Sequence, residues 1–365
     1  MHVVIDLKCF SQHRSGIAGM FEPLIQELAD NKDFSISGIM PSHGTRGQFP
    51  FDVVFLETPF PIWVPGVIRN LLYDLFIFPN YIRSMNPELV LSPYFDVHIP
   101  KKVRSIITIH DMCFFEVPTV YGVIRRYYFM WRTKISARNS IAILTDSFAS
   151  KNAITKFLSV PSEKIYILPN RISEVFASFN PSELEIKHFK STFSLIESDR
   201  VLLYTGGFEN RKNLSNLLLS FKIAQGNGWV DKLLITGAKD RHWHRLVARF
   251  EINSQSIVFT GHLDSRTLRI AYATSNALIY PSLSEGFGRP NLEAQFAGIP
   301  ITCSDIPVFR EVCGENAVYF DPNDVSDIAS SIQAVMEKNS TLKLEKSNFE
   351  QNTLAAIISK SGSFK

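Results

Sequence analysis

The sequence predicts an α/β protein built from two doubly wound domains, and three observations support that prediction. The chain has 365 residues, which is more than one hydrophobic core usually serves. Short apolar runs rich in β-branched residues alternate with longer helical patterns, as expected for strands and helices of a parallel sheet. After Pro169 and Asn170 the alternation gives way to a polar segment and then starts again, which indicates a second sheet.

The predicted strands form one set for each domain. Those of the first domain are residues 2–6, 89–92, 105–109, 142–145 and 165–169. Those of the second domain are residues 201–207, 232–237, 256–261 and 277–282. Ligands of doubly wound sheets bind beyond the carboxyl ends of the strands, so functional side chains are expected there.

The composition indicates a globular chain without a membrane span. Hydrophobic residues make up 45% of the sequence and aromatic residues 12%, which is enough to fill two cores. The longest stretch without Asp, Glu, Lys or Arg is 270–284, well short of the roughly 20 apolar residues of a transmembrane helix. The N-terminus resembles a strand rather than a signal peptide, and the 4 cysteines lack metal-site spacing. These features predict a cytoplasmic protein with reduced thiols.

Basic residues concentrate in one part of the first half. The formal net charge is +3, and the segment 101–138 has 8 basic residues against Asp111 and Glu116. Aromatic residues alternate with these charges between Tyr121 and Arg138. The pattern fits an anionic membrane surface, and it also fits a helix with an aromatic core face and a basic solvent face.

The second domain carries a glycine and cation motif after its first strand. Gly206 and Gly207 follow the strand, and Arg211 and Lys212 precede a helical pattern. Glycines let the backbone approach a ligand, and cations beside a helix N-terminus suit phosphate. Two solvated surface cations are the alternative interpretation.

The stretch SEGFGRPNLEAQFAGIP, which begins at Ser284, follows the strand 277–282. Glu285 to Gly288 form a turn, a helix begins near Pro290, and Gly298 ends it. Glu285 and Glu293 flank the helix start, where backbone N–H groups would meet a diphosphate. Carboxylates there are best explained as acceptors for ribose and sugar hydroxyls, although a helix-capping Glu293 and a solvated Glu285 are the alternative.

Several ordered motifs resemble the GT4-type family of retaining glycosyltransferases with the GT-B fold. They include SGIAG at 15–19, TIHD at 108–111, GGFENRKNL at 206–214 and the Glu285-x7-Glu293 signature. The chain is most similar to bacterial enzymes of O-antigen and capsule synthesis, particularly those like mannosyltransferase B. The resemblance implies two Rossmann-like domains that face each other across a cleft.

The resemblance also implies roles for individual residues. His110, Glu285 and Lys212 match the family's catalytic positions: His110 and Glu285 would contact the donor sugar, and Lys212 would stabilise the leaving diphosphate. Glu293 would hold the ribose. The remaining positions implied to bind the donor are Gly16, Arg211, Gly286, Phe287, Gly288, Asn291 and Leu292.

The sequence departs from the family pattern at three places. Residues 15–21 read SGIAGMF where SGIGRY is commoner, Arg289 stands where an apolar residue is usual, and residues 171–173 read RIS instead of Gly-Ile-Asp. The first departure leaves the geometry of the acceptor site open.

The reaction implied by the resemblance transfers a hexose from a nucleotide diphosphate sugar to a hydroxyl group, with retention and without a metal or cofactor. Mannose from GDP-mannose is the first expectation, and UDP- or dTDP-sugars or a catalytically silent glycan-binding protein are the alternatives. A dinucleotide oxidoreductase is disfavoured because Gly16 lies ten residues past Asp6 and the GxGxxG pattern is missing.

The resemblance and the patterns together predict the organisation and partners of the chain. Residues 1–175 would form the acceptor-side domain, 176–335 the nucleotide-sugar domain, and 336–365 a C-terminal helix and tail that could pack back on the first domain. The expected partners are a nucleotide sugar, a lipid-linked glycan and an anionic membrane surface at the inner membrane face, with no nucleic acid.

Overall fold

The fold comes from a computed structural model that describes residues 1–10, 16–41, 49–56, 66–168, 170, 172–237, 246, 248–337 and 354–361. The chain divides into two compact units. The first comprises Met1–Phe115, Gly122–Asn170 and Phe349–Lys365, and the second comprises Glu116–Tyr121 and Arg171–Asn348. The short segment Glu116–Tyr121 therefore belongs to the second unit, although it lies within the first half of the sequence.

The first unit contains a parallel sheet of seven strands in the order β3-β2-β1-β4-β5-β6-β7. The strands are β1 His2–Asp6, β2 Ser35–Pro41, β3 Asp52–Leu56, β4 Leu89–Ser92, β5 Ser105–Thr108, β6 Ala142–Thr145 and β7 Ile165–Ile167. Its helices are α1 Gly16–Ala29, α2 Gly66–Leu72, α3 Phe78–Met85, α4 Cys113–Glu116, α5 Val123–Asn139 and α6 Phe148–Leu158. A π-helical turn, Tyr73–Ile77, joins α2 to α3.

The second unit contains a parallel sheet of six strands in the order β10-β9-β8-β11-β12-β13. The strands are β8 Val201–Thr205, β9 Lys232–Thr236, β10 Ile257–Gly261, β11 Ala277–Tyr280, β12 Ile301–Ser304 and β13 Ala317–Phe320. Its helices are α7 Glu174–Ser178, α8 Glu183–Thr192, α9 Leu214–Gly226, α10 Ser265–Thr274, α11 Arg289–Ala297, α12 Pro307–Cys313 and α13 Val325–Met336.

The last described helix, α14 Leu354–Ser361, belongs to the first unit. Leu354, Ile357 and Ile358 are buried in the same apolar cluster as Val3 and Leu91 of the central strands. This helix therefore completes a core that the first 170 residues begin.

The predicted α/β class with two parallel sheets is confirmed. Nine predicted strands match β1, β4 to β11 within two residues at either end. The central strands are wholly buried, as expected for parallel strands covered on both faces. In the part of the chain that the structure describes, no helix is long and apolar enough to cross a membrane.

The strand orders place one switch point in each sheet. In the first sheet the chain moves from β1 outward to β2 and later returns to pair β4 on the other side of β1. In the second sheet β8 lies between β9 and β11 in the same way. Loops that leave the carboxyl ends of β1, β4, β8 and β11 are therefore the expected ligand-binding loops.

Candidate functional site

The loops after β8 and β11 bring the two predicted motifs of the second unit together. Arg211 and Lys212 lie on a 3-10 turn, Asn210–Lys212, immediately before α9. The backbone N–H of Leu283 donates to the carbonyl oxygen of Arg211 over 2.8 Å. This bond ties the cation turn to the loop that carries Glu285.

Glu285 is the centre of a buried charged cluster. Lys212 Nζ lies 2.6 Å from Glu285 Oε1, and Arg211 Nη1 lies 2.7 Å from Glu285 Oε2. The side chains of Lys212 and Glu285 are only 8% and 9% exposed. The Tyr280 hydroxyl lies 2.8 Å from Lys212 Nζ and 3.1 Å from Glu285 Oε1. The structure thus brings together three of the predicted site residues, with a tyrosine among them.

The cations keep Glu285 ionised. Burial alone would raise the pKa of its carboxyl group, but the charges of Lys212 and Arg211 outweigh burial and lower the pKa to about 2. A buried carboxylate is stable only when its charge is paired and hydrogen-bonded, and two cations with a hydroxyl group meet that need. The cluster therefore holds a fixed negative charge and two fixed positive charges near the end of the sheet.

Helix α11 begins at a backbone conformation that requires glycine. Gly288 has φ +87° at the N-cap, and a Cβ there would lie 2.5 Å from the ring of Phe309. Phe287 before it is buried at 4% exposure, so the turn is held from inside the unit. The N-terminus of α11, with Pro290 in its first turn, is left with backbone N–H groups that carry partial positive charge.

Unpartnered polar atoms surround this helix start. Asn291 is fully buried, and neither its amide nitrogen nor its amide oxygen has a partner among the described residues. The hydroxyl group of Ser304, at the end of β12, is also buried and has no hydrogen-bond partner among the described residues. Buried polar atoms without partners are rare and indicate a place for a ligand or bound water.

Glu293 lies on the first turns of α11 and has different partners. The Tyr272 hydroxyl donates to Glu293 Oε2 over 2.9 Å, and Arg289 Nε lies 3.1 Å from Glu293 Oε1. Burial raises the pKa of Glu293, and the charge of Arg289 only partly opposes this effect. The residue that departs from the family pattern, Arg289, therefore pairs with the carboxylate predicted to hold the ribose.

His110 lies in the first unit at the end of β5. Its Nδ1 atom is 3.0 Å from Asp146 Oδ2, and its Nε2 atom is 3.0 Å from the carbonyl oxygen of Pro93. Burial lowers the pKa of His110, but Asp146 outweighs it and leaves the pKa raised. Because both partners are acceptors, the protonated ring satisfies both of them. Contact with a sugar would require one of these two bonds to break.

The other predicted positions have less structural detail. Gly16 is the first residue of α1, but residues 11–15, which precede it, lie outside the described residues. Pro169 and Arg171 also lie outside them. Leu292 follows Asn291 in α11, and Gly286 lies in the turn before it. Across the described ranges, no group of three or more His, Cys, Asp or Glu residues could hold a metal ion.

Sequence reasoning missed four side chains that hold these positions. Tyr280, Tyr272 and Asp146 each bond a predicted site residue, and Arg289 was noted only as a departure from the family. Tyr280 and Asp146 lie at or next to the carboxyl ends of β11 and β6, which is a signal that could have identified them. Tyr272 lies on α10 and gives no comparable signal in the sequence.

A concavity of ≈ 770 Å³ lies next to this cluster in the second unit. Its lining includes Leu283, whose N–H group binds Arg211, together with Asp305 and Arg310 after β12. Glu116 also lines it and accepts a hydrogen bond from Ser284 over 2.6 Å. The volume is in the range of pockets that hold small organic ligands, roughly 300 to 1,000 Å³.

Comparison with known proteins identifies the second unit. Residues 186–353 match the sequence family described as glycosyl transferases group 1. The second unit is a group 1 glycosyltransferase domain. The match includes the cation turn, the Glu285 loop and α11.

Two curated relatives of this protein have names that refer to bacterial O-antigen synthesis. O-antigen chain mannosyltransferase RfbU of Salmonella typhimurium is 29% identical over 70% of this chain and 66% of its own length. O-antigen chain mannosyltransferase B of Escherichia coli is 27% identical over 71% of this chain and 68% of its own length. The match therefore spans about two thirds of each relative.

Solved structures that cover 92% of this chain show that it has the GT-B fold. WaaG, a glycosyltransferase involved in lipopolysaccharide biosynthesis, superposes with a TM-score of 0.72 at 14% identity over 92% of this chain and 90% of WaaG. Sucrose-phosphate synthase from Thermosynechococcus elongatus gives a TM-score of 0.72 at 16% identity, with the same coverage. At such identities the likeness concerns the fold alone.

The buried cluster of the group 1 unit should respond cooperatively to substitution. We expect Lys212→Met and Glu285→Gln each to destabilise the second unit by about 2 to 4 kcal/mol, because each leaves a buried partner incompletely paired. The double variant should lose less than the sum, with a coupling on the order of 1 to 3 kcal/mol. Calorimetric unfolding of the full chain measures all three.

The control for this cycle is the exposed pair of Arg266 and Glu185, whose side chains are 61% and 31% exposed. Arg266→Met should change stability by no more than about 1 kcal/mol. If the losses of stability from Lys212→Met and Glu285→Gln were additive in the double variant, the predicted coupling between the two residues would be contradicted.

Proposed function

We propose that this protein transfers a hexose from a nucleotide diphosphate sugar to a hydroxyl group of a growing O-antigen glycan. The first candidate donor is GDP-mannose, because two relatives are named as O-antigen mannosyltransferases. The observation that supports the reaction is the buried cluster of Glu285, Lys212 and Arg211 in the same unit as the N-terminus of α11.

The charges of the cluster suit the departure of a nucleoside diphosphate. Negative charge grows on the leaving phosphate as the glycosidic bond breaks, and preorganised cations stabilise it most in a site shielded from water. Lys212 and Arg211 would supply those cations, and the N–H groups of α11 would bind the remaining phosphate oxygens. In this proposal the protein itself neutralises the diphosphate, and no metal or other cofactor is needed.

The two glutamates would bind different parts of the donor. Glu285, ionised and fixed between cations, would accept a hydrogen bond from the transferred sugar. Glu293 would accept hydrogen bonds from the hydroxyl groups of the ribose, which would replace its present pairing with Arg289. The acceptor hydroxyl would attack from the face that the diphosphate leaves and would give its proton to the departing phosphate, which retains the configuration. No protein nucleophile takes part, in contrast to the two-carboxylate scheme of retaining glycosidases.

The first unit would carry the glycan and His110. The imidazole ring of His110 lies in the first unit, and the proposed contact with the donor sugar would replace its hydrogen bond with the carbonyl oxygen of Pro93. The acceptor would be a lipid-linked glycan at the inner membrane face.

The surface of α5 supports attachment to an anionic membrane. Ile124, Tyr127 and Trp131 lie three and four residues apart on one face of this helix and are 87%, 60% and 56% exposed. Lys134 and Arg138 continue the same face and are exposed. We call these five residues the α5 face. Aromatic residues followed by cations suit the headgroup region of a membrane. Each cation near an anionic surface contributes about 1 kcal/mol to the free energy of binding.

Three other side chains of this helix, those of Phe129, Arg132 and Arg126, contact the rest of the first unit, whereas Arg125 is exposed. Phe129 stacks on Phe114 with ring centroids 4.6 Å apart, and Arg132 is 2% exposed with a bond to the carbonyl oxygen of Asp96. Arg126 Nε donates to the carbonyl oxygen of Phe114. We therefore propose the membrane-surface interpretation for the α5 face alone, while the side with Phe129 fits the alternative of a helix with an aromatic core face.

Kinetic variants test the proposed reaction directly. With GDP-, UDP- and dTDP-sugars and a polyprenyl-linked glycan, transfer should occur from one donor class and persist in EDTA. Glu285→Gln should lower kcat by about 100-fold or more, because it contacts the reacting sugar. Glu293→Gln should chiefly raise the donor KM, by roughly tenfold, because it holds the ribose.

Glu197→Gln is the control, since its side chain is 69% exposed and pairs only with Lys190 among the described contacts. It should leave kcat and KM unchanged. Wild-type kinetics in both site variants, or no transfer or hydrolysis of any nucleotide sugar, would refute the proposal.

Sedimentation with vesicles tests the α5 face. Wild-type protein should sediment with phosphatidylglycerol-containing vesicles at low salt and much less with pure phosphatidylcholine. Trp131→Ser and the pair Lys134→Glu with Arg138→Glu should each weaken this binding several-fold. The control is the double variant Lys32→Glu with Lys222→Glu, which changes the net charge by the same amount away from α5. It should bind the vesicles as wild-type protein does. Equal loss in both charge-reversed pairs would indicate a net-charge effect only.

A further inference from the structure

A second buried charged cluster lies in the first unit, at the switch point between β1 and β4. Asp6 ends β1 and is fully buried. It accepts hydrogen bonds from the Ser92 hydroxyl over 3.0 Å and from the backbone N–H of Lys8 over 3.0 Å. Lys8 Nζ lies 2.6 Å from Asp74 Oδ2, and the two side chains are 14% and 8% exposed. None of these residues belongs to the motifs singled out in the sequence.

The cluster has more acidic than basic groups. Asp96 adds a third carboxylate whose charge acts on Asp6, Lys8 and Asp74. Burial raises the pKa of Asp6, and it raises that of Asp74 to about 7 despite Lys8. Removing several charges from water costs several kcal/mol for each unless all are paired. A fold that needed only stability would place apolar residues at this position.

Unpartnered atoms show that the cluster is incomplete. Asp74 Oδ1 and the hydroxyl of Tyr73 are buried and have no hydrogen-bond partner among the described residues, and the same holds for Asp96 Oδ1. Tyr73 is 1% exposed, and its pKa is raised by burial and by the charges of Asp6 and Asp74.

The backbone is also irregular at this point. Tyr73 and Asp74 begin the π-helical turn between α2 and α3. π-Helical turns are rare and are frequent at functional sites. The irregular turn, the unpartnered atoms and the switch point are three separate observations that all point to a ligand.

The chemistry of the cluster limits what that ligand can be. An anion would face three carboxylates, which disfavours phosphate. No group among the described residues qualifies as a metal site, so the carboxylates are not arranged around a cation. A neutral polyhydroxyl compound can donate to the carboxylates and accept from the Lys8 ammonium group. Tyr94, whose ring centroid is 5.9 Å from Lys8 Nζ, is partly exposed and adds an aromatic surface.

We propose that Lys8, Tyr94 and Asp96 form a carbohydrate-binding site of the first unit, positioned from beneath by Asp6 and Asp74. The ligand is a neutral sugar of the glycan acceptor, an assignment that rests on the proposed transfer reaction. Lys8 and Asp96 contact sugar hydroxyls. Asp74 acts only through Lys8, whose ammonium group it holds in place, and is a positioning residue.

Ligand-observed NMR with the full-length protein tests this site without requiring catalysis. The probes are the methyl α-glycosides of mannose, glucose, galactose and N-acetylglucosamine. Wild-type protein should give saturation transfer with at least one of them. Lys8→Met and Asp96→Asn should weaken that binding by roughly tenfold or more, while GDP, UDP or dTDP bound by the second unit should keep its affinity within about twofold. Retained nucleotide binding and a cooperative unfolding transition show that the variants fold.

A double-variant experiment separates positioning from a structural role. Asp74→Asn should weaken glycoside binding in the wild-type background and change it no further when Lys8→Met is present. A further loss in that background would contradict the role of Asp74. Absence of binding for all four glycosides, or undiminished binding in Lys8→Met and Asp96→Asn, would overturn the site. If wild-type protein bound none of the nucleotides, the proposed transfer reaction would be contradicted instead. Failure of the glycoside site and failure of the proposed reaction are therefore distinguishable.

Discussion

One buried ionic interaction, the pairing of Glu285 with Lys212 and Arg211, organises the candidate site of the second unit. The carboxylate lies in a loop after β11 and the cations in a turn before α9, so the interaction joins two loops that are 73 residues apart. A buried charge must be paired, and the geometry that satisfies Glu285 also fixes both cations beside the switch point. The same requirement preorganises positive charge where a leaving diphosphate would need it.

The two glutamates of one short stretch have opposite electrostatic environments. Two cations lower the pKa of Glu285 to about 2, whereas burial raises the pKa of Glu293 despite the charge of Arg289 and the hydrogen bond from Tyr272. Different environments are a common means by which a site gives different roles to identical side chains. In the proposed reaction, Glu285 would keep a constant charge near the transferred sugar, and Glu293 would exchange its pairing with Arg289 for hydrogen bonds to the ribose.

The sequence predicted the central strands and the site loops because burial and turn chemistry are local signals. β1, β8 and β11 are continuous apolar runs, and the turn at Gly288 needs glycine for its positive φ. β2 was missed because its sequence, SISGIMP, mixes apolar residues with serine, glycine and proline. β3, β12 and β13 were also missed. They are short and are defined by parallel pairing with neighbours distant in sequence, which local patterns do not encode.

Contacts between distant residues explain the other omissions. Tyr272 reaches Glu293 across 21 positions, and Lys8 reaches Asp74 across 66. The resemblance to a family carried the roles of Glu285 and Glu293, but it gave no signal for Lys8 and Asp74, whose significance appears only from their burial and unpartnered atoms. Sequence motifs thus indicated residues of the charged cluster in the second unit, whereas three-dimensional contacts were needed to recognise the cluster of the first unit.

The most direct test of the central claim is the change in melting temperature that nucleotides cause. At 100 times the dissociation constant a ligand stabilises the folded state by about 2.7 kcal/mol, which is several degrees for a domain of this size. If the cluster binds a diphosphate, GDP and GDP-mannose should raise the melting temperature, and guanosine at the same concentration should not. The response should disappear when Arg211 and Lys212 are both replaced by methionine. A wild-type protein that responds to none of GDP, UDP, dTDP and their sugars, or that responds equally to guanosine, would contradict the account.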